Sequence, residues 1–292
     1  MDRKTILGCL TLAMILAGCT SRHKIAVGSK NFTEQVLLGE IIAQHLENRL
    51  QQPVDRRLNL GGTLLAHQSL LAKEIDLYPE YTGTAFTNVL KQSGVTDPGV
   101  VLERVRAEYA TGMRLQWLDP LGFNNTFAMA VRGTDARERH LETLSDAAAD
   151  PTGFTLGAGY EFLQRPDGYG TLNRAYPIHW RAAPKSMDLG LLYTALLQKQ
   201  VSMAAGSATD GMLSVLDVKV LEDDKQAFPP YQACIVVRSD TLEANPNLRK
   251  VLSELSGKFS TNAMRKLNYE VDGKHRQVAE VAREFLQSAG LR

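Results

Sequence analysis

The chain has 292 residues, 44% hydrophobic and 22% charged, with a formal net charge of +1. That length suggests about two domains and enough chain to bury a sizeable core. A near-neutral surface without runs of Lys or Arg excludes the electrostatic footprint of a nucleic-acid binder or of a protein held on anionic membrane by charge.

Asp2-Arg3-Lys4 leads into an apolar run from Ile6 to Ala17 that ends Leu16-Ala17-Gly18-Cys19. A basic start, a short apolar stretch and small residues before a cleavage point make residues 1–18 a secretory signal. The run is too short for a span, which needs about 20 apolar residues. Leu-Ala-Gly-Cys is also the bacterial lipobox, so Cys19 is expected to become the lipidated first residue of an exported chain, with residues 19–23 as a tether. An ordinary signal with an incidental Cys19 is the plainer alternative. Removal of residues 1–18 takes away Cys9 and leaves Cys234, in the apolar run Ala233-Cys234-Ile235-Val236-Val237, as the remaining thiol. No disulfide then braces the exported protein, and a large core must do so.

From Lys24 onward, short β runs alternate with helical patterns, which predicts an α/β fold. Residues 24–28 read as a strand and 34–50 as a helix, with Leu37, Leu38, Ile41, Ile42 and His45 recurring at three- and four-residue spacing. The connection Gly28-Ser29-Lys30-Asn31-Phe32-Thr33 sets Lys30 at the start of that helix, where backbone N–H groups and an ammonium suit an anion. Taken alone, a lysine there is more commonly a surface residue. Val54, Arg56, Leu58 and Leu60 alternate as a second strand, Gly61-Gly62 breaks it, and residues 64–71 form a helix. Residues 75–78 make a third strand, stopped by Pro79. Tyr81 and Thr84 follow in a glycine-punctuated turn, suited to a polar-aromatic pocket wall or to a plain core. Helices are predicted over 82–91 and 98–111.

An extended segment, 125–132, opens a second series: strand 154–159, helix 171–175, strand 178–182, helix 187–198 and strand 201–205. A second extended run, 231–238, leads into a helical tail over 242–290. Two α/β series joined by two extended segments predict two lobes with two crossovers. Lobe one takes 24–127 plus 232–292, with the tail returning to it, and lobe two takes 128–231. Ligands in such sheets sit outside the carboxyl ends of strands, here in the cleft between lobes. Phe127 and Tyr231, on the crossovers, are potential cleft walls, although a core aromatic is the plainer reading of each. Arg165, in Arg165-Pro166-Asp167-Gly168 beyond a second-lobe strand, is placed to fork a carboxylate or to be a solvated surface arginine.

No catalytic set emerges, so the chain is read as a non-enzyme without a cofactor. The six histidines are scattered without metal-ligand spacing, and no Gly-x-Ser-x-Gly, P-loop or dinucleotide fingerprint occurs. Glu222, Asp223 and Asp224 have the composition of a divalent-cation site, but the adjoining Lys225 favours a solvated, self-neutralising loop.

Eight stretches then occur in order over nearly the whole chain after the signal. They are GSKNFTEQ (28–35), LGGT (60–63), DLYPEYTGT (76–84), GFNNTFAMAV (122–131), RPDG (165–168), KSMDLGLLY (185–193), LEDDKQAFPPY (221–231) and KLNYEVDG (266–273). On these the sequence resembles the substrate-binding proteins of osmoprotectant ABC importers, which take glycine betaine, choline, carnitine or related compounds. The resemblance implies a two-lobe type II periplasmic-binding-protein fold and a cage of aromatic faces around a quaternary ammonium. Such a head has no N–H to donate, so π faces suit it, each worth on the order of 2 kcal/mol when desolvated. By position, Tyr81, Phe127 and Tyr231 are implied as walls, and Lys30, Thr84 and Arg165 as holders of the ligand's carboxylate.

The chain departs from the pattern at Gly206-Ser207-Ala208-Thr209-Asp210, where relatives carry a tyrosine before Thr-Thr-Asp or Ser-Thr-Asp. Ser207 takes the place of one cage tyrosine and Phe127 of another. Loss of one face costs about 2 kcal/mol, roughly thirty-fold in affinity. Alternatively, the vacated volume admits a bulkier betaine such as ergothioneine, and the sequence leaves both open. The implied partners are a small quaternary ammonium ligand, and a permease and an ATPase on separate chains, with no nucleic acid. Membrane contact is through the lipid alone, and the protein itself is expected as a monomer. A lipid-anchored sensor or assembly protein on the same fold is the alternative.

Overall fold

The computed structural model describes residues 24–292; the expected signal, Cys19 and the expected tether lie outside the described residues. In chain order the strands of the first half are β1 (Ala26–Gly28), β2 (Asp55–Arg57), β3 (Leu77–Tyr81), β4 (Leu115–Trp117) and β5 (Phe127–Arg132). The second half adds β6 (Leu156–Ala158), β7 (Lys185–Ser186), β8 (Met203–Ser207), β9 (Val218–Leu221) and β10 (Ala233–Arg238). They form two sheets, ordered β2-β1-β3-β10-β4 and β7-β6-β8-β5-β9. In each, three strands run parallel, and an antiparallel strand arriving from the other sheet is inserted before the fourth. The expected two-lobe α/β architecture with two crossovers is present.

Burial explains why the strands read as they do. β1 and β3 are buried throughout, as parallel strands covered on both faces must be. The helix Thr33–Leu50 buries Leu37, Leu38, Ile41, Ile42, His45 and Leu46, and ends where Gln51 turns left-handed. The helix Pro98–Met113 starts with Pro98 in its first turn and Asp97 accepting from the Val100 N–H at 2.8 Å. The tail returns to the first sheet's side: His45 Nε2 lies 3.0 Å from Val251 O, and Gln44 Nε2 donates to Ala279 O at 2.8 Å. Cys234 is fully buried in β10, and burial pushes its thiol up to about 12.

Several expected boundaries shift. Pro79 does not stop the third strand but lies inside β3, opposite Ile235. Thr82 N–H donates to Gln232 O, so alternate residues face β10 and the nitrogen of Pro79 faces β1, whose pairing has ended at Leu77. The missing N–H therefore breaks no rung. Residues 178–182 form no strand; Trp180 makes one isolated bridge with Phe154, ahead of β6, and β7 comes only after Pro184. Phe127, taken as the last residue of lobe one, opens β5 in the second sheet. β4 and β9 were not anticipated.

Candidate functional site

The two crossovers run side by side. Asn125 N–H donates to Tyr231 O at 3.0 Å, Ala233 N–H donates to Phe123 O at 3.2 Å, and Asn124 bridges Gln232. Phe127, at the head of β5, and Tyr231, just ahead of β10, are thereby brought together, their ring centres 5.5 Å apart at 68°. Phe162 and Phe228 also meet Phe127 edge to face, at 4.8 and 5.2 Å. Sequence reasoning missed both: a single phenylalanine in a five-residue helix has no periodic signal, and Phe228 lay in a quoted stretch without an assigned role. Gly83 makes room for Tyr231, since a Cβ there would stand 2.6 Å from Pro230 O and 2.8 Å from Tyr231 Cδ1.

Tyr81 ends β3 opposite Ala233, with Phe32 stacked on it at 6.4 Å and 20° and the Lys30 ammonium 5.0 Å from its ring centre. Its hydroxyl donates to Glu34 at 2.6 Å. Glu34 is buried and also accepts from the amides of Asn125 (2.9 Å) and Asn268 (3.1 Å), so helix, crossover and tail meet on one carboxylate. Burial raises its pKa, and hydrogen bonds from Thr209, Tyr81 and Asn268 work against that rise.

The two expected cations are already paired with carboxylates of the protein. Lys30 is 2% exposed; its ammonium bonds Glu80, which is fully buried, and Thr63 Oγ1 at 3.3 Å. Glu80 also accepts the Tyr78 hydroxyl at 3.0 Å and the Tyr81 N–H at 2.7 Å. Arg165 presents its fork to Asp167, Nε at 2.9 Å and Nη2 at 2.6 Å, and Nη2 also donates to the buried Thr84 hydroxyl at 3.2 Å. Its guanidinium carbon lies 5.2 Å from the ring centre of Phe127 and 5.8 Å from that of Tyr231. Burial lowers the Asp167 site's tolerance for charge, yet Arg165 and the hydroxyls of Tyr231 and Thr87 hold its carboxyl below the usual range.

Thr84, Phe127, Arg165 and Tyr231 thus form one group. Lys30 and Tyr81 form a second, joined to the first through the turn at Gly83. Ser207, half-buried, ends β8 directly opposite Phe127 in the antiparallel register. Its N–H and the Tyr193 hydroxyl both donate to Asp210 Oδ2, at 2.8 and 2.7 Å. Burial pushes the Asp210 carboxyl up to about 6, those two bonds opposing the shift. The acidic run 222–224 disperses into its loop: Asp223 accepts from Tyr176, Ala227 and Phe228, and Asp224 from Ser145. Contacts cross between the lobes where Thr63 N–H donates to Glu161 at 3.0 Å and where Arg265, in the tail, donates to Ala208 O at 2.6 Å.

The family model for the substrate-binding domain of ABC-type glycine betaine transport systems matches residues 23–288. The carnitine transport binding protein OpuCC of Listeria monocytogenes is 34% identical over 287 residues, 95% of this chain and 93% of that one. The ergothioneine transport permease/ergothioneine binding protein EgtU of Helicobacter pylori is 36% identical over 281 residues, which span 96% of this chain and 50% of that protein. A crystal structure of a glycine betaine/carnitine/choline ABC transporter superposes with a TM-score of 0.79 at 31% identity, covering 92% of this chain and 99% of that one.

Proposed function

Because the chain belongs to the family of substrate-binding domains of ABC-type glycine betaine transport systems, we propose that it captures a quaternary ammonium solute between its lobes. It would hand that solute to an ABC permease driven by an ATPase. One observation carries the reading beyond family membership: the rings of Phe127 and Tyr231 stand together where the crossovers meet, with a positive charge already lying over both. Aromatic faces with a cation within about 6 Å are what a trimethylammonium head requires. Carnitine and ergothioneine, named in two relatives, both carry that head and a carboxylate. In this reading Tyr81, Phe127 and Tyr231 are the walls, Ser207 marks an opened side, and Thr84 and Arg165 receive the carboxylate. Lobe one is 24–127 plus 232–292 and lobe two 128–231, hinged where the crossovers pair, with Phe127 at the boundary already opening β5 of the second sheet. Export leaves the protein outside the cytoplasm, anchored by lipid on Cys19.

Calorimetric titration with glycine betaine, carnitine, choline and ergothioneine tests the proposal. Saturable binding of at least one, with a smaller radius of gyration in scattering at saturation, is expected. A protein that binds none of the four, yet retains its fold, would overturn it.

A further inference from the structure

Asp167 is 3% exposed and lies in the short loop between the helices Tyr160–Gln164 and Tyr169–Ala175. The loop is tight: a Cβ on the neighbouring Gly168 would stand 2.0 Å from Phe162 O. Its one carboxylate gathers donors from three parts of the molecule. From its own side come Arg165 Nε and Nη2, at 2.9 and 2.6 Å. From the second crossover comes the Tyr231 hydroxyl at 2.6 Å. From the first-sheet side come the Thr87 hydroxyl at 2.8 Å and the Asn88 amide at 3.3 Å.

Thr87 and Asn88 belong to the π-helical turn Ala85–Val89, a geometry used mostly in single turns and often at functional sites. The Thr87 hydroxyl also lies 2.8 Å from Gly83 O. A hydroxyl has one proton, and neither an ionised carboxylate nor a carbonyl supplies another. The two acceptors therefore compete for it. When the lobes separate, Thr87 keeps a partner in Gly83, while Asp167 loses two donors at once. Beside the bonds of Thr63 to Glu161, Arg265 to Ala208 and Arg165 to Thr84, which also cross, part of the cost of opening thus falls on Asp167, and the two groups it orients, Tyr231 and Arg165, belong to the proposed ligand site.

We propose that Asp167 is a positioning residue that couples closure of the lobes to assembly of the ligand site. Its carboxylate binds Tyr231 and Arg165 together with Thr87 and Asn88 of the other lobe, so it ties the ligand-site groups to the closed arrangement. The inference rests on the reading that a solute binds between the lobes. It predicts that ligand escapes faster when the coupling is cut, because the closed state, rather than first encounter, is what the carboxylate stabilises.

The test uses the whole folded chain with Cys9 and Cys19 changed to serine and spin labels on cysteines introduced at Gln68 and Arg174, exposed residues of the two lobes; the buried Cys234 stays unlabelled. Asp167→Asn keeps the shape and removes the charge. The ligand-free variant should show a longer, broader distance distribution than the parent. Glycine betaine, carnitine or ergothioneine, whichever the parent binds, should dissociate at least about tenfold faster, with association changed less than about threefold. Thr87→Val should shift both readouts the same way by less, and the double variant should fall short of additivity. Unchanged distances and dissociation in Asp167→Asn would overturn the proposal, as would a loss confined to association. Should Asp167→Asn fail to fold, Thr87→Val and Asn88→Ala decide: parental distances and dissociation in both overturn it. If the parent binds none of the probes, the proposed ligand is wrong, and the ligand-free distances still decide whether Asp167 closes the lobes.

Discussion

Lys30→Met is the sharpest single perturbation of the site, because the two roles open to Lys30 predict opposite readouts. The Lys30 and Glu80 side chains are nearly or fully inaccessible, at 3% and 0% exposure. Methionine preserves most of the stem and removes the charge. Glu80 would then remain buried, with the Tyr78 hydroxyl and the Tyr81 N–H as its remaining partners among the described residues. Removing one member of a buried ion pair costs about 3–5 kcal/mol, because the other charge is left uncompensated. Adding Glu80→Gln removes that charge and should recover most of the loss. Urea denaturation of the ligand-free proteins measures this: Lys30→Met should lower the midpoint with an unchanged slope, and the double variant should restore it. If Lys30→Met loses less than about 1 kcal/mol while carboxylated ligands bind far more weakly, the pairing is not what Lys30 is for. The carboxylate-holding role would then stand.

Three further outcomes follow from named groups. Ser207→Tyr should add a face beside Phe127, tightening glycine betaine by up to about thirty-fold and weakening the bulkier ergothioneine; an unaltered preference in calorimetry would remove Ser207 from the site. The Asp210 carboxyl, pushed up to about 6, holds its proton more tightly folded than unfolded. The stability it lends at low pH should be lost between about pH 4 and 6, by at most about 3 kcal/mol. Asp210→Asn should flatten that part of a stability–pH curve, and identical curves would show that Asp210 does not titrate there. Cys19→Ala should move the protein from the membrane fraction to the soluble one, and a variant that stays membrane-bound would exclude lipid on Cys19.

The long elements were legible because periodicity accumulates over many residues. Leu37, Leu38, Ile41, Ile42 and His45 mark a helix that is buried along that stripe. β7 and β9, of two and four residues, carry too little alternation to be read, and Pro79 looked like a stop because strand pairing on each side is invisible in one dimension. The matched stretches pointed to Tyr81, Phe127, Arg165 and Tyr231. What they did not reveal is which charges are already satisfied. Glu80 pairs with a lysine fifty residues earlier, and Glu34 draws together residues 81, 125 and 268. Asp167 lies only two residues from Arg165, but no spacing rule says that it also receives Thr87, Asn88 and Tyr231.

In the proposed site, aromatic faces should hold a permanent positive charge, rather than merely an apolar group of the same shape. Titration with glycine betaine beside 3,3-dimethylbutanoate, in which carbon replaces the quaternary nitrogen, isolates that charge. Each desolvated face is worth on the order of 2 kcal/mol to a cation, so glycine betaine should bind at least about thirty-fold more tightly. Equal affinity for the two, or binding of the carbon analogue alone, would show that the rings do not recognise the charge.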